Sequence, residues 1–111
     1  MQNWKQITSE EDVNKIIEAS EIKPQLIFKD SLTCGISAHA KERLKDGYHL
    51  MEGKADLHYL DLLQYRSVSG YIAQTLGLTH QSPQIIILKN RKVAYSSSHH
   101  AINSAEIVKY L

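Results

Sequence analysis

The stretch F-K-D-S-L-T-C-G-I-S-A-H-A holds the one cysteine of the chain, Cys34, where an apolar run gives way to a helical pattern. Such a thiol has two readings. Cysteine is often fully buried and can serve as a small apolar filler. At the start of a helix, unpaired backbone N–H groups and the positive end of the helix dipole stabilise an anion, and the thiolate is the reactive form. Free cysteine titrates at about 8.5, and a helix N-terminus lowers that to roughly 3.5–7.5. The flanks of Cys34 are polar and turn-forming, which favours the second reading. Thr33 and Ser31 are candidate caps. Ser37, three residues on, either caps the helix, faces solvent or turns its hydroxyl back toward the sulfur. Asp30 either modulates the thiol or solubilises the end of the strand before it. His39, five residues past Cys34, lies too far round a helix to act as its base.

A second place of interest is Ser82-Pro83, just before the apolar run Gln84 to Leu88. Proline is accepted at the first position of a strand, and an X-Pro bond can also be cis. If Pro83 is cis and beside Cys34, the Ser82 backbone is open to an extended thiol substrate; otherwise Pro83 only starts a strand. The six histidines (His39, His49, His58, His80, His99 and His100) show no C-x-x-C or H-x-x-x-H spacing, so no metal site is expected. The adjacent pair His99-His100, taken as the end of a strand, would point to opposite faces.

These side chains need elements to position them. Trp4 to Ile7 reads as an edge strand, with Trp4 packed on the sheet edge. A helix follows, with Thr8 as N-cap, Glu11 closing a capping box, and Val13, Ile16 and Ile17 on its apolar face. Gln25 to Phe28 is continuously apolar after its first residue, as in a strand covered on both faces. From Gly35 to about Lys45 the pattern is helical, with Ile36, Ala40 and Leu44 repeating every four residues. Gly47 to Gly53 reads as a loop, Asp56 to Leu63 as a strand, and Ser67 to Leu76 as a helix capped by Gly77. Ile85 to Leu88 is the strongest strand signal, and Lys89 to Lys92 turns it into a hairpin with Val93 to Ser97. A last helix is expected from Asn103 or Ser104 to Leu111.

The order is therefore βαβαβαββα, which implies an α/β fold with a central mixed β-sheet and helices on both faces. Right-handed crossovers leave few ways to arrange it, and the thioredoxin-like fold is the most economical. With 111 residues and no linker or repeat, the chain is expected to be one domain, 1–111. A net charge of +1, with basic residues scattered among acidic ones, argues against nucleic acid. No window approaches the roughly 20 apolar residues of a membrane span. One cysteine allows no internal disulfide, and the opening M-Q-N-W-K lacks the pattern of a secretion signal, so a cytoplasmic, reducing location is expected.

Three segments together, T-C-G-I-S at 33–37, H-Q-S-P-Q at 80–84 and the hairpin ending Y-S-S-S-H-H, resemble the YtxJ family of monothiol bacilliredoxins over essentially the whole chain. The resemblance implies that Cys34 is a redox nucleophile and that Pro83 is a cis-proline facing it. Ser37 then stands where dithiol thioredoxins carry their resolving cysteine. Gly35 replaces the proline of the more usual T-C-P-I-S, which frees one backbone N–H at the helix start. The implied catalytic set is Cys34, Ser37, Thr33 and Gly35, with Ser82 and Pro83 binding substrate. No bound cofactor is implied. Bacillithiol is the thiol co-substrate, and bacillithiolated or oxidised proteins are the clients of an expected monomer. C-G-I-S is also similar to the C-G-F-S motif of monothiol glutaredoxins, which implies a [2Fe–2S] carrier as an alternative. The later glycine-pair and acidic-pair signature of those proteins is absent. A third alternative is a non-catalytic thioredoxin-fold adaptor in a stress response.

Overall fold

The computed structural model describes residues 3–32 and 35–111. Strand β1 (Lys5–Gln6) is followed by helix α1 (Glu10–Ala19), β2 (Gln25–Asp30), α2 (Gly35–Asp46) and α3 (Tyr48–Met51). Then come β3 (Asp56–Asp61), α4 (Arg66–Leu76), and the hairpin of β4 (Gln84–Lys89) and β5 (Lys92–Ser98). A 3₁₀ turn at His99–Ala101 leads to α5 (Ser104–Ile107), which tightens into a second 3₁₀ turn at Val108–Tyr110. The sheet order is β1-β3-β2-β4-β5. β2 pairs parallel with β3 and antiparallel with β4, so the sheet is mixed and β2 is its middle strand.

The central position of β2 explains its sequence. All six of its residues are buried, because helices cover both faces of the sheet. Leu26 and Phe28 join Ala40 and Leu44 of α2, Met51 and Ile107 on one face. Ile27 joins Val13 and Ile16 of α1, and Val68 and Ile72 of α4, on the other. Each such side chain contributes about 1.5–3 kcal/mol by leaving water. Trp4 meets the edge of Phe28 with ring centres 6.3 Å apart, closing the first layer at the β1 side.

Local chemistry sets the element ends. Asp12 N–H donates to Ser9 Oγ, so Ser9 is the N-cap of α1, and Asp12 Oδ2 accepts from Thr8 N–H. The cap expected of Thr8 and Glu11 thus falls one residue later, because Asp12 is short enough to reach back to the chain entering the helix. Gly77 ends α4 in the left-handed region, φ 65°, with its N–H on Ala73 C=O. Asn90 and Arg91 form the hairpin turn with φ of 51° and 67°. Their N–H groups are held by Ser20 C=O and Ser20 Oγ at 2.9 and 2.8 Å, which fastens the hairpin to the end of α1.

Several expected boundaries move. β2 runs two residues past Phe28, to Asp30, since the sheet still covers both of its faces there. The loop between Gly47 and Gly53 contains the single turn α3, which buries Met51. On α2 the buried stripe is Ser37, Ala40 and Leu44, and Ile36 is exposed at 36%. A helix face combines spacings of three and four, and the stripe follows Ser37 rather than Ile36. The last helix is shorter than expected, and the histidine pair lies in a 3₁₀ turn rather than at a strand end.

Candidate functional site

β2 delivers the chain to Ser31 and Leu32, and α2 begins at Gly35. Thr33 and Cys34, the expected cap and nucleophile, lie outside the described residues. The residues on either side of them are tied together. Ser37 is fully buried, and its Oγ accepts the Ser31 N–H at 3.2 Å. That bond joins the first turn of α2 to the exit of β2, so Ser37 is neither solvent-facing nor a conventional cap. That bond uses the hydroxyl oxygen as acceptor and leaves its proton unused by Ser31. Gly35 is exposed, and a Cβ there would meet no atom within 4 Å among the described residues. Leu32 and Ile36 stand exposed on the two flanks of the segment.

The Ser82–Pro83 peptide is cis. Lys29 and Gln84 are the last partners of the β2–β4 ladder, so Ser82 and Pro83 follow at the sheet end where β2 runs out. Pro83 is buried, and its C=O accepts from His99 N–H at 3.1 Å. Ser82 Oγ is buried with no hydrogen-bond partner among the described residues.

Asp30 does not solubilise the strand end: it is 1% exposed. Tyr59 donates its hydroxyl to Asp30 Oδ2 at 2.6 Å, and Lys41 Nζ of α2 stands 3.3 Å from the same oxygen. The Lys41 ammonium also lies over the Tyr59 ring, 5.4 Å from its centre. Burial, then the bond to Asp30, pushes the Tyr59 phenol well above its usual range, so it remains a donor at any physiological pH. A cleft of about 80 Å³ opens here, lined by Asp30, Ser31, Leu32, Ala38 and Lys41.

The neighbouring residue, Lys29, faces the opposite side of the sheet. It is fully buried, with Nζ 3.2 Å from His80 Nδ1 and 3.5 Å from the Ser69 carbonyl of α4. Burial lowers its ammonium to about 8. Sequence reading stopped the strand at Phe28 and so missed Lys29, and it missed Lys41 and Tyr59 as partners of Asp30. The signal was available: a strand buried on both faces that continues into Lys-Asp must bury two charges. On the far side of α2, Arg43 donates to the carbonyls of Ile102 at 2.8 Å and His99 at 3.1 Å. This anchors α2 against the segment after the hairpin. His39 is exposed. Among the described residues no three His, Asp or Glu side chains converge as metal ligands, and no helix is long and apolar enough to cross a membrane.

Comparison with solved structures places this architecture. A candidate oxidoreductase with a thioredoxin fold superposes with a TM-score of 0.84 at 28% identity, over 98% of this chain and 94% of that one. Thioredoxin of Fasciola hepatica is similar at a TM-score of 0.71 and 13% identity, over 95% of this chain and 93% of that one. Thioredoxin of Trypanosoma brucei brucei gives 0.75 and 13%, over 96% and 86% of the two chains. At that identity the two thioredoxins bear on the fold alone. The sheet order is that of the thioredoxin fold, and the lone cysteine falls between β2 and α2 in the sequence. The family model of monothiol bacilliredoxin BrxC matches residues 5–107, and this match with the first of these likenesses makes the protein a thioredoxin-fold thiol–disulfide oxidoreductase. The chain belongs to the monothiol bacilliredoxin family.

Proposed function

We propose that the protein reduces mixed disulfides between client proteins and bacillithiol. The observation that carries this reading is the single cysteine in a chain of this family, since a lone thiol has no internal partner to resolve a mixed disulfide. The Cys34 thiolate attacks the bacillithiol sulfur of the client's mixed disulfide. The client–bacillithiol S–S bond breaks, a new S–S bond joins Cys34 to bacillithiol, and the client leaves as a thiolate that takes a proton from water. A second bacillithiol thiolate then attacks the bacillithiol sulfur on Cys34. It releases bacillithiol disulfide and returns the Cys34 thiolate, so one free bacillithiol is consumed per client, its sulfur oxidised to the disulfide level as the client sulfur is reduced to a thiol.

In this reading the Ser37 hydroxyl donates a hydrogen bond to the Cys34 sulfur, a charge-assisted bond that favours the thiolate. Thr33 caps the helix start, and Gly35 adds a backbone N–H to the electropositive end. Ser82 pairs through its backbone with the extended client segment, next to Pro83. The exposed flanks Leu32 and Ile36 fit an apolar client surface. The protein works as a monomer in a reducing cytoplasm, where a thiolate persists.

The test is mass spectrometry of the reduced protein mixed with a bacillithiolated client. Cys34 is expected to gain one bacillithiol as the client loses it, and Cys34→Ser to abolish the transfer. A client that stays modified while Cys34 stays free refutes the reading.

A further inference from the structure

Residues 79–82 form the connection that brings Ser82 and Pro83 to the site, and they belong to no helix or strand. Their position is fixed by side chains. Gln84 Nε2 donates to Thr79 C=O at 3.2 Å, and His80 Nδ1 is met by Lys29 Nζ at 3.2 Å and Ser69 Oγ at 3.4 Å. Lys29 is the anchor: it is fully buried, on the middle strand, with the Ser69 carbonyl as its other partner. An ammonium has only donors, so His80 receives it through the Nδ1 lone pair and must carry its proton on Nε2. The groups facing the pair are Ser69 from α4, and Gln84, which is the ladder partner of Lys29 on β4. No carboxylate balances the ammonium: burial alone perturbs Lys29, and Lys29 is the one charge acting on His80 among the described residues.

Resting on the reading that Ser82 binds the client, we infer that Lys29 and His80 are positioning residues. Their hydrogen bond acts as a clasp that holds the 79–82 segment, and with it Ser82, in the binding-ready place. The clasp is intact only while His80 is neutral. A proton on Nδ1 would face the Lys29 ammonium and turn the bond into a repulsion. Partial burial, then Lys29, holds His80 below its ordinary value, which keeps the clasp closed at neutral pH. The clasp opens as acidification finally protonates the ring.

Three variants of the full chain test this: Lys29→Met, His80→Ala and His80→Asn, the last of which offers an amide oxygen near the Nδ1 position. Losing a charge-assisted bond of this kind is expected to raise KM for the client disulfide about tenfold in Lys29→Met and His80→Ala, with kcat nearly unchanged. In the wild type KM should climb as pH falls through the His80 titration, whereas His80→Asn should keep a low KM with no such climb. Independently of activity, NMR should show His80 titrating higher in Lys29→Met, and the Ser82 amide of the wild type shifting with the His80 midpoint. An unchanged KM in His80→Ala, a His80→Asn profile that tracks the wild type, or a His80 midpoint indifferent to Lys29→Met overturns the inference. If wild-type exchange itself is absent, the functional reading fails while the NMR arm still decides the clasp. If Lys29→Met fails to fold, the two variants at the exposed His80 decide it through KM.

Discussion

Acid should destabilise this protein chiefly through a buried histidine of β3. His58 of β3 faces α1 and is 7% exposed, with Nε2 2.7 Å from Gln25 Oε1. The Gln25 amide nitrogen donates to Lys23 C=O at 3.0 Å and Asp56 Oδ2 at 2.9 Å. Its oxygen must therefore face the ring, and His58 carries its proton on Nε2. Burial, reinforced by Lys5, pushes His58 down to about 4. In the unfolded chain it titrates at about 6.5, so between these values the unfolded state binds the extra proton. The stabilisation is complete above about pH 6.5 and is lost as pH falls toward the folded value. The gap corresponds to about 3 kcal/mol at pH 4, an upper figure because a cleft of about 250 Å³ beside His58 lets water approach. Urea unfolding of the wild type and His58→Gln at about pH 7, 5.5 and 4 measures it, since glutamine keeps an N–H donor for Gln25 and removes the titration. Asp12 and Asp56 are held below the ordinary carboxylate range by hydrogen bonds, and they cost stability at still lower pH in both proteins. Their contribution cancels in the difference. Parallel pH curves for the two proteins would refute the reasoning.

Ser37→Ala removes the acceptor of the Ser31 N–H and leaves that group unpaired in a buried place. It should cost about 1–2 kcal/mol in urea unfolding and lower the rate of Cys34 alkylation at neutral pH, with the fold retained. Asp30→Asn keeps an acceptor for Tyr59 but leaves Lys41 without its counterion. Because Lys41 is partly solvated, the expected loss is about 1–2 kcal/mol, and Tyr59→Phe in the same background should cost less than it does in the wild type. Gly47→Ala drives a methyl into Ser104 Oγ and Cβ, at a backbone conformation that any residue can adopt. Overpacking should lower stability by about 1–3 kcal/mol, and adding Ser104→Gly should recover most of it.

The order of elements was legible because each strand and helix carries its own period. Leu26-Ile27-Phe28 announced a strand covered on both faces, Gly77 announced a helix end, and Ile85 to Leu88 announced the hairpin. What depended on distant partners was not legible. Nothing local says that Met51 must reach the core and so wind α3, or that Ser37 rather than Ile36 turns inward on α2. The site divides in the same way. Cys34, Ser37, Ser82 and Pro83 stood out by residue type and spacing. Asp30 was noticed but its burial was not, because its partners Tyr59 and Lys41 come from β3 and α2. Lys29 and His80 lie 51 residues apart, and no sequence window contains both.

The adjacency of Lys29 and Asp30 then acquires a reason. Successive residues of a strand point to opposite faces, so a charged pair at the end of β2 sends one charge into each layer. Asp30 binds α2 and β3 through Lys41 and Tyr59, on the side of the helix that follows Cys34. Lys29 binds the 79–82 segment through His80, on the side that carries Ser82. Burying two charges costs several kcal/mol of desolvation that apolar residues would not incur, so stability alone does not account for them. Each fixes a different wall beside the one strand exit from which the chain reaches the thiol. If that is their shared purpose, Asp30→Asn should disturb the α2 side and leave the His80 titration alone. Lys29→Met should do the reverse, moving His80 while the Lys41–Asp30 pair stays as it is. Their effects on the two walls would be separable even though the residues are chain neighbours, and a change in both walls from either substitution would show that the sheet end responds as one unit.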